Sequence, residues 1–295
     1  MPLRDLAPHL EDEIEDADNE TFDLYSNDVG SQNLGFVDAA AQTVEVSLAG
    51  RDVTILQSPG VLASTRAGGT TGAVLWKVTP LFANWLASPS NPLFTTILTP
   101  SSTVLELGCG ISPLNALAIA PRIANYVLSD QNYVQKLLSQ NILNILANQS
   151  SSSAPSASRG SNKRRLGKTV TPPPPQNMIF RALDWEQDQV SPELAEPASS
   201  YFDAVVATDC VYNYALVDPF VQTCVDVCAL KDGDDEARPC VCIVGQQLRN
   251  HEVFRAWLGA FMGRFRVWRL RGDVLPGLGA ADGFVVHVGV LKSGK

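Results

Sequence analysis

A chain of 295 residues, 45% of them hydrophobic, is long enough to bury one large core or two small ones. Its formal net charge of −9 excludes a general electrostatic affinity for nucleic acid or an anionic membrane, and permits a basic protein partner. No apolar run approaches the roughly 20 residues that span a bilayer, and neither end shows a secretory succession, so the expectation is a protein of the cytoplasm, with the nucleus as a second location.

Residues 1–41 read as an acidic, partly disordered leader, because "EDEIEDADNE" (Glu11 to Glu20) is a charge run with few apolar residues. Residues 42–295 read as one domain that begins with a small N-terminal β-hairpin. In "QTVEVSLAGRDVTILQS" the residues Val44, Val46 and Leu48 alternate, Gly50 turns the chain, and Val53 and Ile55 continue the pattern. From Thr79, the residues Leu81, Phe82, Trp85 and Leu86 recur at helical spacing until Pro89.

Alternating strands and helices follow: "TVLELG", the helix "SPLNALAIA", "NYVLSD", the amphipathic helix "NYVQKLLSQNILNILANQ", "NMIFRALDW" and "YFDAVVATDC". Next come the helix "YALVDPFVQTCVDVCAL", the strand "PCVCIVGQQL" and the helix "HEVFRAWLGAFMG". "FRVWRL" and "GFVVHVGVL" have no helix-length segment between them and should pair antiparallel. The succession predicts an α/β fold, a doubly wound Rossmann-like sheet of seven strands with an antiparallel last strand. A Ser, Pro and basic stretch at about 150–176, including Lys163, Arg164 and Arg165, reads as a disordered insertion, or as a basic arm touching RNA, a ribosome or an acidic peptide. The six cysteines show no paired C-x-x-C spacing, so they read as reduced, core-filling thiols and no metal is expected.

The chemistry concentrates at strand ends. In "ELGCG", Gly108 and Gly110 let the backbone turn tightly beside a ligand, with Glu106 preceding and Cys109 between them. The dinucleotide pattern would need a third glycine, and Pro113 and Leu114 stand instead; no phosphate loop is present either. A ligand with an amino acid tail and a positive charge, such as S-adenosylmethionine, suits this turn better than NAD or ATP. Asp130, 20 residues after Gly110, is placed to accept ribose hydroxyls. Trp185 in "LDW" offers an apolar face to adenine, with Asp184 near the exocyclic amine. Thr208 should lie under the methionine part, and Asp209 and Tyr212 should face the acceptor. Upstream, the glycines Gly68, Gly69 and Gly72 let "GGTTGAVLW" fold over the crevice, where the Trp76 indole N–H could reach the cofactor carboxylate.

Together "VLELGCGISPL", "VLSDQ", "LDW", "DCVY" and "TGAVLWKVTP" resemble the seven-strand S-adenosylmethionine-dependent methyltransferases, and within them the lysine methyltransferase family 16. Asp209 and Tyr212 match that family's D-x-x-Y motif after the fourth strand. "TTGAVLW", the long insertion and "GQQLR" look most like the fungal ribosomal-protein lysine methyltransferases, which implies a large-subunit ribosomal protein as substrate; a monomer is expected. Ser112-Pro113 departs from the small glycine-rich turn often found there. In this reading Asp209 and Tyr212 are the catalytic pair; Asp209 orients the ammonium and water takes the proton. Arg249 of "GQQLR" reads as a helix-end salt bridge. An RNA or DNA amine methyltransferase would carry [DN]-P-P-[YF] where "DCVY" stands; that alternative, and a non-catalytic cofactor-binding interaction module, stay open.

Overall fold

Four runs of apolar residues, Thr103–Leu107, Asn125–Asp130, Ala204–Thr208 and Val241–Gln247, are buried almost throughout, as strands must be when helices cover both faces of a parallel sheet. The computed structural model describes residues 2–26, 35–66, 69–152, 177–231 and 238–292. In chain order these form α1 (Pro2–Leu6), β1 (Leu10–Glu13), α2 (Ala17–Tyr25), β2 (Thr43–Leu48), β3 (Arg51–Leu56), α3 (Pro59–Leu62), α4 (Val78–Ala87) and α5 (Leu93–Thr96). There follow β4 (Thr103–Leu107), α6 (Leu114–Ile119), β5 (Asn125–Asp130), α7 (Gln135–Ser152), β6 (Met178–Ala182), β7 (Ala204–Thr208) and α8 (Val217–Ala229). The last elements are β8 (Val241–Gln247), α9 (His251–Arg264), β9 (Phe265–Leu270) and β10 (Phe284–Leu291).

The main sheet runs β1-β9-β10-β8-β7-β4-β5-β6. Strands β6, β5, β4, β7 and β8 are mutually parallel, and β10 inserts antiparallel between β8 and β9. The expected doubly wound sheet with its reversed strand is therefore present. So is the separate β2–β3 hairpin, turned at Ala49 and Gly50, which both hold positive φ. One face is covered by α4, α6, α7 and the hairpin, through Phe82, Leu114, Leu138 and Ile55; the other by α8, α9 and α2, through Phe220, Trp257 and Leu24. Since β4 pairs with β5 on one side and β7 on the other, the chain reverses its winding there, and a crevice opens at the carboxyl ends of these strands.

The leader departs from expectation. Residues 2–26 are not a solvated tail: β1 pairs antiparallel with β9 and adds an eighth strand to the sheet, and α2 lies along α9. The acidic run is matched by arginines of β9 that no sequence motif marks: Arg266 bonds Glu13, and Arg269 bonds Glu11 and Glu20. Exposed pairs of this kind contribute little individually. The anchor is apolar: Leu6 and Leu24 are buried, the latter among Trp257, Phe254 and their neighbours. Leu24→Ala should lower the unfolding free energy by about 2–4 kcal/mol in a urea melt, whereas a truly solvated leader would show no change. The Ser/Pro/basic stretch, beyond the end of α7 at Ser152, lies outside the described residues, with Lys163, Arg164 and Arg165. All six cysteines are free and buried, as core-filling thiols should be.

Candidate active site

The turn after β4 is built from two left-handed glycines, Gly108 at φ +68° and Gly110 at φ +55°. A Cβ on Gly108 would stand 2.7 Å from Cys210 Sγ, and one on Gly110 would stand 2.9 Å from the carbonyl oxygen of Gly72. The Ile111 N–H donates to that same carbonyl (3.0 Å), so the segment containing Thr71 and Gly72 is laid directly over the glycine turn. Gly68 lies outside the described residues. Between them lies a cleft, open on one side and lined by residues of the strand ends and of this covering segment.

Asp130 ends β5 at the floor of the cleft. Its Oδ2 accepts from the Gly110 N–H (2.9 Å) and its Oδ1 from the Gln131 N–H (2.7 Å), so the carboxylate ties the glycine turn to the neighbouring strand. Burial pushes its pKa up to about 6, against those two N–H bonds that lower it. At neutral pH it stays ionised, and two carboxylate oxygens have lone pairs left for ligand hydroxyls. Asp184 and Trp185 follow β6 into the cleft. Asp184 Oδ2 accepts from Gln131 Nε2 (3.1 Å), while the Trp185 ring lies edge-on to Phe220 and against Gly108, its buried Nε1–H without an acceptor among the described residues. Cys109 and Thr208 also line the cleft; Thr208 Oγ1 is 3.3 Å from Thr79 Oγ1.

Glu106 does not line the cleft. It is buried beneath the turn, its oxygens accepting from Asn115 Nδ2 (2.8 Å) and the Tyr126 hydroxyl (3.0 Å). Its side chain lies on the α6 face of β4, opposite to its neighbours Leu105 and Leu107, as alternation along a strand requires. Burial raises its pKa from 4.5 to about 7, outweighing the lowering effect of those two bonds. The folded chain therefore holds a proton that the unfolded chain has lost between pH 4.5 and 7, and stability falls as pH rises through that window. The shift corresponds to about 3 kcal/mol. Glu106→Gln keeps both neighbours hydrogen-bonded and should flatten this slope in melts between pH 5 and 8.

At the other end of the cleft Asp209 follows β7 at φ +55°, a left-handed position that Asp tolerates better than most residues. It neither caps a helix nor offers a free carboxylate. Arg249 grips it bidentately, Nη1 to Oδ2 and Nη2 to Oδ1, both 2.8 Å, and the Gln247 N–H adds a bond of 3.2 Å. Burial raises the pKa of Asp209, opposed by the attraction of Arg249 and the Gln247 bond. Arg249 is thus no helix-end bridge for α9; that end is capped by Asn250. "GQQLR" holds the needed signal, a cation just past the strand next to β7, but only the sheet order brings it to Asp209.

Trp76 reaches the cleft as expected, although its indole N–H is already donated to the Thr71 carbonyl (3.1 Å) and so does not point at a ligand carboxylate. It is not packed with Phe82 and Trp85, which contact each other. Its ring lies 4.7 Å from Phe36, 5.4 Å from Tyr212 and 5.0 Å from the Arg249 guanidinium carbon. The Tyr212 hydroxyl is 3.0 Å from Thr71 Oγ1. Thr71, Tyr133 and Gln131 also line the cleft and were not singled out from sequence. Tyr133 carries no motif, and only its packing against Arg66 (4.4 Å) and Gly72 places it there.

The parallel sheet, the glycine turn at its switch point and the acid at the end of the adjacent strand define a Rossmann-like methyltransferase. The cleft fits S-adenosylmethionine on its own features: backbone that admits no Cβ at Gly108 or Gly110, an ionised Asp130 with spare acceptors, and an unpartnered indole N–H at Trp185. No family model matches the sequence. A protein named ribosomal lysine N-methyltransferase 5 from Zygosaccharomyces rouxii is 30% identical over 235 residues, covering 70% of this chain and 69% of that protein. The Eremothecium gossypii protein of the same name is 28% identical over 265 residues, covering 77% and 81%. The chain belongs to this family of ribosomal lysine N-methyltransferases. It also matches a diaminohydroxyphosphoribosylamino-pyrimidine deaminase from Schizosaccharomyces pombe, 26% identical over 221 residues, of which it spans only 44%. Among solved structures, Pyrococcus horikoshii TYW2 in complex with MeSAdo superposes with a TM-score of 0.43 at 13% identity, covering 85% of this chain and 72% of that one.

Proposed function

We propose that this protein transfers a methyl group from S-adenosylmethionine to the side-chain nitrogen of a lysine in a large-subunit ribosomal protein. The observation that carries the reading is the composition of one end of the cleft: a buried carboxylate, Asp209, beside an aromatic wall of Trp76 and Tyr212. Such a wall suits the aliphatic stem of a lysine, and a carboxylate orients its nitrogen. The names of the relatives and the net charge of −9, which favours a basic partner, support the substrate class.

When bound, S-adenosylmethionine supplies a methyl carbon already activated by the sulfonium charge, so the protein's task is orientation. Asp130 and the Gly108–Gly110 turn would hold the nucleoside, Trp185 would offer its ring to the adenine, and the segment over the turn would keep water from that half of the cleft. A lysine amine, which in water titrates near pH 10.4, must lose a proton before it attacks. Asp209, both oxygens already bonded, orients the nitrogen; the proton leaves to water at the open side.

Labelled S-adenosylmethionine should place label on a ribosomal protein in a cell extract, stable to RNase and recovered as methyl-lysine after hydrolysis. Label lost with RNase would overturn the lysine reading in favour of an RNA methyltransferase. No transfer despite cofactor binding would favour a non-catalytic interaction module.

A further inference from the structure

At the acceptor end of the cleft one anion and one cation are held together more tightly than substrate binding alone requires. Asp209 is locked from three sides: the Arg249 fork takes both oxygens, Gln247 donates to Oδ1, and the Asp209 N–H is fixed on the Gly245 carbonyl (2.8 Å). The side chains of Asp209 and Arg249 are 1% and 13% exposed. Arg249 is in turn held over the Trp76 ring, the same ring that contacts Tyr212. A guanidinium this placed does not reach the cleft as a substrate ligand would. It acts on whatever approaches Asp209.

We infer that Arg249 is a positioning residue which, by neutralising Asp209, keeps the acceptor amine easy to deprotonate, so that the ion pair and not the carboxylate alone forms the acceptor side of the site. This rests on the lysine reading above. An unpaired carboxylate beside an amine holds the amine's proton, raising its pKa by roughly 1–3 units, the wrong direction for a nucleophile that starts near 10.4. A guanidinium stays charged at every relevant pH and cancels most of that field, while the fork and the backbone bond still leave Asp209 a lone pair to orient an N–H. Among the described residues the other titratable groups near the pair are Tyr25 from α2, whose pKa burial pushes up to about 12, Tyr212 from the loop after β7, and the Cys210 thiol, whose pKa burial also raises. Gln247 of β8, Trp76 and Gly35, which also lie against the pair, are uncharged.

The test is the pH profile of single-turnover methyl transfer to purified large ribosomal subunits, with S-adenosylhomocysteine affinity measured on each variant to confirm an intact cofactor site. Arg249→Gln should move the acid limb up by about 1–2 pH units, costing about 10- to 100-fold at pH 7 and recovering towards pH 10. Asp209→Asn, which leaves the cation in place, should move the limb down on a lower plateau. Arg249→Lys, which keeps the charge without the fork, should leave the limb near its original position. The Asp209→Asn, Arg249→Gln double variant should return it there. A uniform loss at all pH values with an unmoved limb in Arg249→Gln, or an Arg249→Lys profile matching Arg249→Gln, would overturn the inference while leaving lysine methylation standing. Should Arg249→Gln fail to fold, the downward shift in Asp209→Asn and its reversal in the double variant decide the matter. Wild-type protein that binds cofactor yet methylates no lysine would overturn both readings.

Discussion

Gly110→Ala should abolish measurable S-adenosylhomocysteine binding in calorimetry and lower stability by a few kcal/mol. Two separate penalties fall at this position. The backbone sits at φ +55°, where a side chain costs roughly 1–2 kcal/mol. The new Cβ would also stand 2.9 Å from the Gly72 carbonyl, which is backbone and cannot rotate away, and whose bond to the Ile111 N–H holds the covering segment down. Relieving the clash means lifting that segment or shifting the turn, and the turn carries the Gly110 N–H that anchors Asp130. One methyl group thus disturbs three features of the cofactor end together. Gly259 in α9 has nothing within 4 Å of its would-be Cβ and no positive φ, so Gly259→Ala should leave binding unchanged and stability equal or slightly higher. Equal affinities in the two variants would remove the glycine turn from the cofactor site.

The same position shows what a sequence can and cannot carry. The glycines, Asp130, Trp185 and Thr208 are legible because each is fixed by its distance from the end of a strand, and strand ends follow from short apolar runs read in order. Three things were not legible. Glu106 looks like a ligand residue because it sits two residues from Gly108, but it belongs to β4 and not to the turn, and its carboxyl is buried on Asn115 and Tyr126. The acidic leader looks like solvated chain because its partners, Arg266 and Arg269, are about 250 residues away, and only the pairing of β1 with β9 brings them opposite. Arg249 lies 40 residues beyond Asp209, and their meeting depends on β7 and β8 being adjacent parallel strands. Local pattern places what the backbone fixes near a turn; pairing between distant segments decides which charges are free.

Asp209→Ala should reduce methyl transfer by at least about 100-fold while S-adenosylhomocysteine affinity stays within a few-fold. It should also cost about 3–5 kcal/mol of stability, because Arg249 is left with a charge in a mostly buried position and no carboxylate to meet it. Loss of activity alone would therefore be ambiguous, and a second change separates the two effects. Adding Arg249→Met removes the orphaned cation, and replacing a buried ion pair with apolar groups of similar volume is often neutral or better for stability. The double variant should regain much of the lost melting temperature, with part of the deficit persisting because alanine at φ +55° remains strained. Transfer should not return with it, because no carboxylate is left to orient the amine beside the wall of Trp76 and Tyr212. Recovery of transfer in step with stability would reduce Asp209 to a structural partner of Arg249 and move the orienting role to Tyr212. A double variant that is stable, binds cofactor and remains inactive would assign that role to the Asp209 carboxylate itself.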